Sequence, residues 1–378
     1  MKLTCGLIVL LALLLSSCQD MALLYYNRGL DAIEDGDHET AIEYFRKSLA
    51  IRKHDPDVQV NLGVAYYTAG DYDAAMAAFK IALDDYPGDP TLHYNIAETY
   101  AAMGAFQAAA REYDLAISLR DRFFEALTSY GKMLLEAGDY ERAEELLVHA
   151  MTVKPSYNPA YVYLGLLYAR MDKFHQASVY LYRALKNNPS SIDARLGLAH
   201  SFYKRSMYEP AIEEYERVYN GDPDNREAIL GLGLCYFETE RYSQAEKLLK
   251  LAVESQPNFP RAYKALGDVY FQQKDFAAAL ASYRTAVQQR EDYPEAYMKM
   301  GDLFAAIGRH DEARQSLEHA LRRSPDDPLI LYHLGRLHLE MNDLEHGQEL
   351  LHKALVLLRD DAELKADILK SLQDIRNR

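Results

Sequence analysis

The sequence has little of what several classes of protein require. It contains no tryptophan, three cysteines and no extended run of lysine or arginine. Its formal net charge is −15 and its pI is near 5.3. Because nucleic-acid binding requires a cationic surface that displaces counterions, we expect no nucleic-acid partner.

Motifs of catalytic and metal sites are missing as well. The chain has no glycine-rich phosphate loop and no His-Glu-x-x-His pair, and Cys235 has no neighbouring cysteine. We expect Cys235 to be packed and inert. Four histidines gather near Glu340 and Glu349, and we expect them to be solvated or to pack against other side chains: His333, His338, His346 and His352. The sequence therefore predicts no catalytic residue, no metal, no cofactor and no enzyme activity.

The longest apolar run lies at the N-terminus. Lys2 gives a positive start, Leu7 to Leu15 is unbroken, and Ser16, Ser17 and Cys18 follow. Such a run is too short to span a bilayer and is typical of a secretory signal peptide, which we assign to residues 1–17.

The segment ending at Cys18 resembles the lipobox of bacterial lipoproteins. That resemblance implies a lipoprotein that carries fatty acyl chains such as palmitate on Cys18, with residues 18–21 as a lipidated tether. Gln19, at the place after the cysteine, favours the outer membrane facing the periplasm over the inner membrane, by resemblance to Gram-negative sorting. An ordinary signal peptide with a chance cysteine, or an uncleaved anchor, remains open.

From Ala22 to Asp361 the chain repeats one unit of 34 residues ten times without insertion or deletion. A small residue recurs at this spacing at Gly29, Gly63, Ala97, Gly131, Gly165, Ala199, Gly233, Gly267, Gly301 and Gly335. Twelve residues later comes an alanine at Ala41, Ala75, Ala109, Ala143, Ala177, Ala211, Ala245, Ala279 and Ala313, and Gly347 in the last unit. An unbroken period of this length predicts a stacked array, since each unit alone cannot bury its apolar face.

Each unit has the pattern of two helices. In the second unit, the apolar positions follow helical spacing at Leu62, Tyr66, Ala75, Phe79 and Leu83. Between the helices stands a residue that tolerates the left-handed conformation, as at Gly36, Gly70, Gly104, Gly138, Asp172, Gly308 and Asn342. The glycine and alanine positions predict a close approach of two helix backbones. The large residue at the Phe79 position is expected to pack against the neighbouring pair.

These residues resemble the tetratricopeptide repeat. The resemblance implies an all-α, right-handed superhelical solenoid of ten helix-turn-helix units at 22–361, whose first helices line a concave groove that binds proteins or peptides. A final helix at 362–378 is predicted to cap the last unit, because its apolar residues form one stripe at Leu364, Ile368, Leu369, Leu372 and Ile375.

Two parts of the groove are candidate peptide-binding sites. Asn27, Asn61 and Asn95 recur one repeat apart and form a ladder of amides for an extended backbone, or they are simply solvated. Further along, the same position is Gly197 and Gly231, which predict room for an anchor residue beside apolar neighbours at Tyr163, Leu166, Tyr203, Leu230 and Leu234. The alternative is a groove that is filled by its own aromatic side chains.

Several functions remain open. The leading hypothesis is a lipid-anchored scaffold that helps to assemble or localise a machine of the cell envelope, such as a pilus secretin, an exopolysaccharide exporter or a cell-wall hydrolase complex. A second is a regulatory subunit of an envelope enzyme complex that presents peptides in the groove. A third is a subunit of a membrane channel. Leu23 and Leu24 also make the first repeat a candidate surface for membrane contact or a homodimer, although a merely apolar first turn is equally compatible.

Overall fold

The computed structural model describes residues 19–358 and 361–376, and every regular element within these ranges is an α-helix. In this part of the chain, no helix combines the length and the apolar character needed to cross a membrane. The predicted signal peptide and Cys18 lie outside the described residues. The chain divides into two compact units, Met1–Ala194 and Arg195–Arg378.

The first unit consists of helical hairpins. Its helices are α1 (19–34), α2 (His38–Ile51), α3 (Pro56–Thr68), α4 (Tyr72–Asp85), α5 (Pro90–Ala102), α6 (Phe106–Leu119), α7 (Phe124–Ala137), α8 (Tyr140–Val153), α9 (Asn158–Arg170) and α10 (Phe174–Asn187). The first helix already includes Gln19, Asp20 and Met21, so these three residues of the predicted tether are helical.

The second unit continues the same pattern, and the division between the units falls within α11. Its helices are α11 (Ile192–Lys204), α12 (Tyr208–Gly221), α13 (Arg226–Glu238), α14 (Tyr242–Ser255), α15 (Pro260–Gln272), α16 (Phe276–Gln289), α17 (Pro294–Ala306), α18 (His310–Arg323), α19 (Pro328–Glu340), α20 (Leu344–Leu357) and α21 (Ala362–Arg376). Odd-numbered helices from α1 to α19 are the first helices of the hairpins, and even-numbered helices are the second. Across the described residues, ten hairpins followed by one helix confirm the predicted all-α fold of repeated helix-turn-helix units.

Helix ends follow from local chemistry. Aspartates at the N-caps of five second helices accept the backbone N–H three residues on, at Asp37, Asp71, Asp139, Asp275 and Asp343. Proline, which needs no N–H partner at this place, opens five first helices at Pro56, Pro90, Pro260, Pro294 and Pro328.

The turn between the helices is left-handed in each half of the chain, as the sequence predicts. Gly70 has φ of 82° and Gly308 has φ of 78°, and Asp172 and Asn342 adopt the same conformation with φ of 58° and 62°. Ser206, Glu240 and Lys274 also do so, although a side chain makes this conformation costly.

In eight of the ten hairpins, the glycine of the first helix accommodates a large side chain of the same hairpin. A Cβ atom at Gly63 would lie 2.4 Å from the ring of Phe79, and one at Gly131 would lie 2.7 Å from Leu147. At the same position of its repeat, Tyr113 also stacks on Tyr130 of the next hairpin, with ring centroids 5.2 Å apart, so the expected contact with the neighbouring pair is present there as well. Glycine is needed because the ring or isobutyl group lies directly on the helix backbone.

The final helix α21 covers the last hairpin. Leu364, Ile368 and Leu372 are buried and share an apolar cluster with Leu331 and Leu351. By contrast, Leu369 is exposed, and the side chain of Ile375 lies outside the described residues. Three members of the predicted stripe thus contact the array, as expected of a cap.

Candidate binding cleft

A cleft of about 200 Å³ lies in the second unit on the first helices α11, α13, α15 and α17. Tyr283, on the second helix α16, also lines the cleft. Its lining combines apolar and charged side chains: Tyr203, Leu234, Phe237, Glu238, Lys264, Asp268, Phe271, Gln272, Tyr283, Lys299 and Asp302. One helix from each of four successive repeats therefore contributes to a single concave surface.

One end of the cleft is aromatic. Tyr203, Phe237 and Phe271 are half-buried, and each occupies the same position of its repeat. The hydroxyl of Tyr203 donates to Glu238 at 3.3 Å, so the phenol ring is held by a bond to the next first helix. Half-buried rings with a fixed orientation offer a contact surface for an apolar side chain at a low entropic cost.

The other end carries paired charges. The Nζ atom of Lys264 lies 2.7 Å from Asp268, and the hydroxyl of Tyr283 donates to the same carboxylate at 2.8 Å. Lys299 lies 3.7 Å from Asp302, which also contacts His333 at 2.6 Å. Each carboxylate thus has a cationic partner, so this end is suited to recognition rather than to proton transfer.

Burial and charge act in opposite directions on Lys264. Burial lowers the pKa of its ammonium group, but the carboxylate of Asp268 outweighs burial and leaves the pKa raised. In the same cluster, burial and the nearby Asp268 raise the pKa of Tyr283. Lys264 therefore remains cationic and Tyr283 remains a neutral donor at neutral pH.

The predicted groove residues separate into different environments. Tyr203 and Leu234 line the cleft. Leu230 is buried in the core, and Gly197 is buried with its carbonyl accepting a bond from Ser201 at 2.8 Å. Tyr163 and Leu166 lie half-buried on α9 of the first unit.

Gly231 does not leave room for a ligand. A Cβ atom at Gly231 would lie 2.3 Å from Cζ of Tyr215, so the phenol ring already occupies this place. In most repeats the corresponding ring or leucine lies on the glycine of its own hairpin, but here that position is Ala199. The ring of Tyr215 instead lies against the following first helix, α13. At this position the groove is filled by its own aromatic side chain.

The three asparagines are all on first helices of the first unit. Asn27 is exposed, and Asn61 and Asn95 are half-buried. The amide of Asn61 donates to the hydroxyl of Tyr26 at 3.1 Å and to the backbone carbonyl of Asp57 at 2.9 Å. Both hydrogens of that amide are therefore engaged, and its oxygen is the group left for a ligand. The asparagine ladder stays a prediction.

Cys235 lies inside the second unit. Its side chain is 0% exposed, and burial raises the pKa of the thiol to about 12. The expectation of a packed thiol is confirmed, and the raised pKa is in keeping with an unreactive one, since reactive cysteines are exposed and have a low pKa.

Two histidines of the last hairpin share one carboxylate that the sequence reasoning left out. Hydrogen bonds from His346 and His338 hold the pKa of Asp343 at about 2, and the bond to Asp343 raises the pKa of His346. Asp343 stands five residues after one histidine and three before the other. This spacing across the left-handed turn at Asn342 is the sequence signal that could have identified the cluster.

A larger hollow, of about 720 Å³, lies elsewhere in the second unit between α12, α13 and α14. Its lining mixes Lys247, Lys250 and Glu254 with Tyr219 and Leu251. None of the predicted groove residues takes part in it. We therefore place the candidate site in the smaller cleft, where first helices converge.

Known families match most of this chain. Two models described as tetratricopeptide repeat match residues 67–122, 202–269 and 308–366, and residues 26–90 and 164–226. A model described as TPR repeat matches residues 267–308. No curated protein matches the chain.

Solved structures share the fold at low sequence identity. A tetratricopeptide repeat protein from Parabacteroides merdae is 20% identical, with 67% of this chain and 99% of that one covered and a TM-score of 0.58. Yeast Tom70 is 14% identical, with 94% and 96% covered and a TM-score of 0.53. A chain of the APC/C hetero-tetramer Cut9–Hcn1 is 14% identical, with 92% and 96% covered and a TM-score of 0.52.

Proposed function

Because the chain belongs to the tetratricopeptide repeat family, we propose that it is a scaffold that holds partner proteins by a peptide segment bound in the cleft of α11, α13, α15 and α17. The observation that carries this proposal is the combination of three aligned rings with two ion pairs on one concave surface. Binding hot spots have this character, with an apolar anchor beside polar groups that fix orientation.

The lining indicates the chemistry of the segment. An apolar or aromatic side chain of the peptide would lie against Tyr203, Phe237 and Phe271. A charged side chain next to it would exchange with one partner of the Lys299–Asp302 pair, which at 3.7 Å is the looser of the two. Such a segment carries an anchor residue followed by a charge, and its backbone runs along the first helices.

The proposal includes a location. Lipidation of Cys18 would anchor the chain to the outer membrane facing the periplasm, where it would help to assemble or localise an envelope machine. The lipobox-like sequence supports this, together with the exposed Leu23 and Leu24 at the start of the described chain, which would lie close to the bilayer. Two or more acyl chains are needed for stable anchoring.

Site-specific crosslinking in intact cells tests the scaffold function. A photoreactive phenylalanine analogue at Phe271 should capture a partner, and the same analogue at the exposed Arg284 of α16, outside the cleft, should not. Equal capture at both positions, or none at Phe271, would contradict the cleft as the binding site.

Fatty-acid labelling tests the anchor separately. An alkyne-modified palmitate should label the parent chain and leave the Cys18→Ser variant unlabelled, and the variant should lose its membrane association. Labelling that persists in the variant would rule out Cys18 as the lipidated residue without affecting the cleft.

A further inference from the structure

Three side chains of the last hairpin converge at its turn. His338 stands in the last turn of α19, Asp343 is the N-cap of α20, and His346 lies in the first turn of α20. Nδ1 of His338 lies 2.9 Å from Oδ2 of Asp343, and Nδ1 of His346 lies 3.0 Å from both carboxylate oxygens. The three ligand atoms all lie within 4.8 Å of one another.

Packing of the array does not require these histidines. In repeats two to nine, the position of His338 holds a large apolar or aromatic residue: Tyr66, Tyr100, Leu134, Tyr168, Phe202, Tyr236, Tyr270 and Phe304. The position of His346 holds no histidine in any other repeat. The last repeat thus departs from the pattern at two places, and the departures bring two imidazoles to one carboxylate.

We propose that His338, Asp343 and His346 bind a divalent transition-metal cation of the zinc type. Two imidazole nitrogens and one carboxylate oxygen are the ligands that zinc takes in open sites, and the fourth position is left for water or a group of a partner. In a tetrahedral zinc site, ligand atoms at about 2.0–2.2 Å from the metal lie roughly 3.3 Å from one another. The two nitrogen–oxygen distances already match this spacing to within a few tenths of an ångström.

Binding needs only a small rearrangement. Each imidazole would carry its proton on Nε2, which leaves the lone pair of Nδ1 facing the cation in place of a hydrogen bond to Asp343. The ionised carboxylate supplies the third ligand. Glu345 and Glu349 are exposed on the same helix and add negative charge near the site.

The cation would join the two helices of the last hairpin. His338 comes from α19, and Asp343 and His346 come from the start of α20, so a shared ion fixes the turn between them. This hairpin has Gly347 where all nine other repeats have alanine. A bound cation would stabilise the terminal repeat, because a ligand that binds only the folded state lowers the free energy of that state relative to the unfolded chain.

Cobalt binding tests the site. The full-length chain in detergent, freed of metal with a chelator, is titrated with Co²⁺ and followed by its visible absorption, and Zn²⁺ is then added as a competitor. We expect one Co²⁺ per parent chain, displaced by Zn²⁺. The His346→Gln variant should bind at least about tenfold more weakly.

Two further variants control for folding. His338→Phe restores the residue type of the other repeats, so it should keep the far-ultraviolet circular dichroism of the parent while losing the cobalt spectrum. His352→Gln changes an exposed histidine of α20 outside the cluster and should bind as the parent does. A parent without a cobalt spectrum at millimolar Co²⁺, or a His346→Gln variant with unchanged affinity, would overturn the proposal.

Discussion

Replacing Gly231 with alanine is expected to loosen the packing of α13. The added Cβ atom would lie 2.3 Å from Cζ of Tyr215 and 2.5 Å from Cε1, whereas ordinary contacts are 3.4–4 Å. The ring of Tyr215 is only 5% exposed, and Ala199 fills the place that it would otherwise take on its own hairpin. The ring must therefore move by about 1 Å into neighbours that are already packed.

The magnitude follows from two opposing effects. Overpacking of a core costs about 1–3 kcal/mol, and alanine regains up to about 1 kcal/mol over glycine in a helix. Because the clash involves a buried ring, we expect a net loss of about 1–2 kcal/mol of local stability. At 1.4 kcal/mol per factor of ten, this corresponds to a rise of roughly 5- to 30-fold in the population of the locally open state.

Cys235 provides the assay, since it lies four residues further along α13 and is fully buried. In a background with Cys5→Ser and Cys18→Ser, the rate of thiol labelling under native conditions measures opening of this helix. Gly231→Ala should label 5- to 30-fold faster than the parent.

The matched control is Gly221→Ala at the end of α12. A Cβ atom there would meet nothing within 4 Å, so labelling should be no faster than in the parent. If both variants labelled equally fast, or if Gly231→Ala labelled at the parent rate, the assignment of the Tyr215 ring to this place would be refuted.

Three other outcomes follow from the structure. The pKa of the Cys235 thiol is about 12 in the folded chain and near 9 in the unfolded chain, so the stability that the neutral buried thiol contributes is complete below pH 9 and is lost as the pH rises through 12. In urea denaturation, the parent should therefore lose stability relative to Cys235→Ala between pH 9 and pH 12. If the stabilities of the two proteins changed in parallel over this range, the prediction would be wrong. Leu23 and Leu24 are 52% and 45% exposed, and replacing both with glutamate should reduce self-association in analytical ultracentrifugation or vesicle binding in flotation. If neither changed, the first turn would not be a contact surface. Glu214→Gln removes the carboxylate that pairs with Arg195 and Arg217, and it should lower the free energy of unfolding in urea by about 1–3 kcal/mol. The control Glu213→Gln, at an exposed position, should change it by less than about 0.5 kcal/mol.

The period of the sequence was sufficient for the fold, because it determines which residues face each other in most hairpins. Positions such as Gly63 and Ala75, and the left-handed turns at Asp172 and Asn342, were identified from spacing alone. Each depends on local geometry that a repeat reproduces.

The repeat spacing does not predict the direction in which a side chain points. Whether Gly231 is vacant depends on the rotamer of Tyr215, which the repeat spacing does not specify. The cluster at His338 was missed for a different reason. Motif searches look for ligands on one helix face, whereas here a turn brings residues from two helices together.

The ring of Tyr215 also has an evolutionary consequence. The ring of Tyr215 in the sixth unit lies on Gly231 of the seventh, so these two units fit each other through a ring and a missing side chain. A copy of the sixth unit inserted before any repeat with a side chain there would place two groups in one space. Moving the sixth and seventh units together, as a block of 68 residues, would preserve this fit.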